Sequence, residues 1–118
     1  MTFQQDQIVC MRIAPAVLYC VVRSTSTNPQ GEVQCWARPL FIQELEEVHD
    51  VRCSVDVLCP LHWFEPTYDV EVLDHLPLLD WEQVAIFGLN AQHRQRVSNF
   101  IRHFATTESK VLRPLLNP

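Results

Sequence analysis

Apolar and polar residues alternate with a period of two over much of the first half of the chain, and the apolar spacing lengthens to that of a helix near its end. Residues 7–13 and 16–23 are rich in Val, Ile, Leu, Tyr and Cys. Pro15 between them bars a continuous helix, so both segments are expected to be strands. Turn-forming residues fill positions 24–31, and an extended pattern resumes over 32–41, which predicts a hairpin. In its second arm Val33, Cys35 and Ala37 alternate with Gln34, Trp36 and Arg38, giving one apolar face and one on which a tryptophan stands among polar groups. A hairpin centred between Thr27 and Asn28 would set Cys20 directly opposite Cys35.

The acidic stretch 43–50 fits either a helical turn or a charged connection. The clearest alternation follows it. Val51, Cys53, Val55 and Val57 interleave with Arg52, Ser54 and Asp56, so residues 51–59 are predicted to be a strand with the valines and Cys53 buried and the polar set exposed. After Pro60 and the aromatic pair Trp63-Phe64, residues 67–73 alternate again through Tyr68, Val70 and Val72. Helical signals begin beyond Pro77: Asp80 and Gln83 form a capping-box pattern and Gly88 can end that helix. Asn90 caps a second helix, on which Val97, Phe100, Ile101 and Phe104 share one face. Thr106-Thr107 is expected to loosen it, leaving a tail over 106–118. The fold class implied is α+β: an antiparallel sheet of about five strands, open or curled toward a small barrel, covered by two C-terminal helices. Its organisation is a single domain over 1–118, strand-rich over 1–75 and helical over 80–105.

Charge sharpens this picture. Residues 1–92 carry 13 Asp and Glu against four Arg, whereas residues 93–118 carry five Lys and Arg against one Glu. Most of the surface therefore repels a phosphate backbone, and nucleic acid is not the expected partner. A weaker reading would use Arg94, Arg96, Arg102, Lys110 and Arg113 as an RNA- or DNA-binding stripe. The longest apolar run, 14–22, is too short to span a bilayer, and residues 1–12 lack the features of a secretory leader, so a cytoplasmic protein is expected. Five cysteines, an odd number in apolar surroundings, read as reduced, buried thiols.

Catalytic chemistry finds little support. With only Gly31 and Gly88, no phosphate-cradling loop can be written. His49, Cys53, Cys59 and His62 have zinc-ligand chemistry, but a strand over 51–59 would hold Cys53 and Cys59 about 20 Å apart, beyond the reach of one ion. No cofactor or metal is expected. Cys59 with His62 is the only nucleophile–base candidate, and its acidic surroundings disfavour a thiolate. The expectation is thus a non-catalytic adaptor, chaperone or assembly subunit that binds a protein partner or a second copy of itself. Its candidate contact residues are Trp36, Arg38, Trp63, Phe64, Arg96 and His103. The alternative is a small enzyme or ligand carrier with a pocket between sheet and helices, where Cys59, His62 or Tyr68 would act.

Overall fold

The computed structural model describes residues 3–68 and 89–116, with side chains on the last helix described to residue 107. Six strands occur among them: β1 (Ile8–Ile13), β2 (Ala16–Thr27), β3 (Val33–Glu44), β4 (Glu47–Asp50), β5 (Val57–Pro60) and β6 (Glu65–Pro66). A 3-10 turn, Leu61–Trp63, separates the last two strands, and one long helix, α1 (Ala91–Leu116), follows. The sheet is antiparallel and open, in the order β4-β3-β2-β1-β6, with β5 also paired to β3. It does not close into a barrel. The strand expected over 67–73 and the helix expected over 80–88 fall mainly or wholly outside the described residues.

Local chemistry explains the turns. Between β2 and β3 the side chain of Asn28 accepts bonds from the backbone N–H groups of Gln30 and Glu32, at 3.0 and 2.9 Å. Gly31, at φ +84, supplies the left-handed residue that closes the loop. The turn therefore lies further along the chain than the turn-former composition suggests, and Ser24–Thr27 extend β2 instead. Two bulges, at Arg23 and Leu40, shift the register further. Cys20 consequently faces Pro39, and Cys35 faces Thr25 on β2 and Cys59 on β5. The Cys20–Cys35 pairing is thus corrected. The acidic stretch resolves into the β3–β4 hairpin, in which Glu44 pairs with Glu47 and Leu45 adopts φ +58.

Residues 51–56 depart most from expectation. Asp50 accepts the backbone N–H of Arg52 at 3.0 Å and chelates its guanidinium at 3.0 and 2.7 Å, pulling Arg52 inward. This side-chain competition breaks the ladder. Ser54 N–H donates back to Val51, and Cys53 makes backbone bonds to the start of α1 rather than to a strand. Arg52 and Ser54 are accordingly buried, while Val55, expected inside, is 49% exposed. Only the end of the segment, β5, pairs as a strand.

The main core gathers Val9 and Met11 of β1, Leu18, Cys20 and Val22 of β2, Cys35, Ala37 and Ile42 of β3, and Cys59 of β5 beneath Val97, Phe100 and Phe104 of α1. A smaller cluster, Cys10, Tyr19 and Phe41, forms with the Tyr19 and Phe41 rings stacked at 4.7 Å. All five cysteines are buried, which suits their use as small apolar side chains. The helix continues through Thr106, whose hydroxyl donates to the Arg102 carbonyl at 2.9 Å and so finds its partner within the helix itself. The backbone stays helical to Leu116, so a separate tail from 106 is replaced by the last turns of α1.

Candidate functional site

The aromatic surface begins with strand parity. Cys35 and Ala37 point into the core, which turns Trp36 and Arg38 to the opposite side of β3. Trp36 is 50% exposed, and its partner across β5, Leu58, is 61% exposed. The indole is held in place. Its Nε1–H donates to Asp56 Oδ2 at 2.9 Å, while Arg38 Nε donates to the other oxygen of the same carboxylate at 3.4 Å. One acid, supplied by the irregular turn between β4 and β5, thus clamps two side chains of β3. Beside the clamp an open groove of about 420 Å³ is lined by Arg38, Arg52, Cys53, Ser54, Val55, Asp56 and Leu89. Val55 and Leu89 add exposed apolar surface to it.

The other contact candidates do not join this surface. Phe64 is buried in the main core. Trp63 packs its ring against Phe104 at 5.3 Å. Arg96 and His103 lie elsewhere, along a groove between the β-hairpin tips and α1 that also includes Pro15, Glu44, His49 and Asn99. Arg94 and Arg102 line a different flank of α1 together with Ser54, Val55 and Val57. The described arginines of the helix therefore do not form one stripe. Lys110 and Arg113 lie where side chains are not described.

The three residues of the alternative reading, Cys59, His62 and Tyr68, do not line one groove among the described residues. His62 lines a groove of about 530 Å³ with Phe3, Glu32, Val33, Pro60, Leu61 and Phe64, but Cys59 and Tyr68 are not part of that wall. Burial, reinforced by Cys35, pushes the Cys59 thiol up to about 11, which suppresses the nucleophilic thiolate. Cys20 is raised well above its usual range, first by burial and then by Cys59, Cys35 and Cys10. Among the described residues, no group of three or more His, Cys, Asp or Glu side chains is placed to hold a metal ion. No helix among them is long and apolar enough to cross a membrane.

Sequence reasoning missed Asp56, because the apparent strand alternation put it on a solvent face. No family model matches the chain, and comparison with curated proteins and with solved structures gives no significant match.

Proposed function

We propose that the chain is a non-catalytic adaptor or assembly subunit that binds a protein partner, or a second copy of itself, through the Trp36 face. The observation that carries this reading is a half-exposed indole held by Asp56 and set beside the exposed Leu58. Tryptophan is a frequent interface anchor, and an anchor already held in one orientation loses less conformational freedom on binding. The Arg38–Asp56 pair is partly exposed, on its Arg38 side above all, and contributes at most about 1 kcal/mol by itself, so affinity should follow the aromatic and association rate the charge.

The test compares wild type with Trp36→Ala in sedimentation velocity and in affinity capture from the native cell. The expected result is loss of self-association, or of a captured protein, by about tenfold or more with the fold unchanged by circular dichroism. Equal complex formation by both proteins would sink the reading, as would unfolding of the variant.

A second reading, a small-ligand carrier, draws on the groove between sheet and helix. Arg96, His103, His49 and Asn99 offer polar contacts there, above a floor of Ile13, Ile42 and Phe100. Perturbation of these residues' NMR resonances by a small-molecule panel, with Trp36 unaffected, would favour it.

A further inference from the structure

The segment 53–56 is secured at both ends. At its start, the Cys53 N–H donates to His93 Nδ1 at 3.1 Å, and the Cys53 carbonyl accepts the Asn90 N–H at 2.8 Å. These two bonds tie the turn to the first residues of α1. At its other end, Asp56 holds Trp36 and Arg38. A change at His93 is therefore separated from the Trp36 clamp by only three residues of chain.

We propose that His93 is an acid-sensitive latch on the Trp36 surface: while its Nδ1 accepts the Cys53 N–H the clamp is ordered, and protonation of that nitrogen releases segment 53–56 and with it Trp36. This regulatory role rests on the reading of Trp36 as the binding face. The chemistry is specific to the tautomer. A ring that accepts at Nδ1 is neutral, with its proton on Nε2, and adding the second proton turns the acceptor into a donor facing another donor. His93 is 8% exposed, so the charged ring also loses solvation.

Among the described residues, the charged groups that act on it are Asp50 and Arg52 from the end of β4 and the turn beyond, and Arg96 from its own helix. Burial lowers the His93 pKa, Asp50 opposes that, and the two guanidiniums add to it. Because the folded-state value lies below the ordinary one, the latch stays closed below about pH 6.5 and opens as pH falls through the folded-state pKa, while its contribution to stability is complete above about pH 6.5 and is lost over that same interval.

The experiment follows the 15N-labelled protein by NMR from about pH 7.5 to about pH 5, across the range in which a histidine titrates. In wild type, the hydrogen-exchange protection of the Cys53 amide should fall several-fold. The Trp36 Nε1–H resonance should move toward its solvent-exposed position over the same range. In His93→Gln both readouts should be flat. In Asp56→Ala, which removes the acceptor of the Trp36 Nε1–H, the Trp36 resonance should stop responding while Cys53 still does. Cys53 protection independent of pH, or a Trp36 response unchanged in His93→Gln, would overturn the latch. Should His93→Gln fail to fold, the wild-type ring 15N shifts decide, since a neutral ring protonated at Nδ1 contradicts the mechanism. No partner enters these measurements. A Trp36→Ala protein that keeps its complexes would refute the binding face and leave the latch result standing.

Discussion

Leu45 occupies a backbone conformation that its side chain opposes. At φ +58 a branched residue carries about 1–2 kcal/mol of strain, and at 75% exposure the side chain recovers little by packing. Glycine relieves the strain but is more disordered in the unfolded chain by about 0.5–1 kcal/mol. Leu45→Gly should therefore stabilise the protein by about 0.5 kcal/mol, read as a higher urea midpoint at unchanged slope. Val55 gives the opposite lesson. Its place in an alternating run implied that truncation would cost about 2 kcal/mol or more, whereas a half-exposed side chain predicts less than about 1 kcal/mol for Val55→Ala. Alternation reports which side chains share a face only where the backbone is extended. At Arg52 the neighbouring carboxylate redirects the backbone, and nothing in the residue pattern announces it.

Helix α1 was the more legible element, because its instructions are local. Asn90 accepts the N–H groups of Gln92 and His93 at 2.8 and 3.1 Å, and the buried positions 93, 97, 100 and 104 recur at helical spacing. Asn90→Ala should cost about 1 kcal/mol in chemical denaturation. Phe104→Ala should cost about 3 kcal/mol or more, since the ring is buried against Trp63 and Phe100. The turn between β4 and β5 was illegible because its decisive partner, His93, lies 40 residues away in the chain. Trp36 could be read from parity alone, but the acid that orients it could not.

For the whole molecule, the ionisable groups bound a pH window. The His93 contribution is complete above about pH 6.5 and declines below it. Asp50 is pushed up by burial but more than compensated by its hydrogen bonds and charge interaction with Arg52, so its pKa is lowered and its contribution is lost at still lower pH, below about 4. At the alkaline side the raised thiols act in the other sense. Their contribution is complete below about pH 8.5 and is lost above it, as unfolding lets them ionise. Thermal midpoints measured across pH should trace this window, with the acid limb that begins near about pH 6.5 removed in His93→Gln. A thiol reagent at about pH 8 should label native protein slowly and all five cysteines after denaturation. The sheet order also fixes a sequence of events in time. Strands β1 to β4 form an uninterrupted meander of neighbours, whereas α1 must return across more than half the chain to cover Val9 and Met11. Local pairings close with little loop entropy, so the β2–β3 hairpin is expected in the rate-limiting nucleus and α1 is expected to dock after it. Truncations such as Leu18→Ala should then slow refolding, while Phe104→Ala should chiefly hasten unfolding, and the two arms of a chevron plot would separate them.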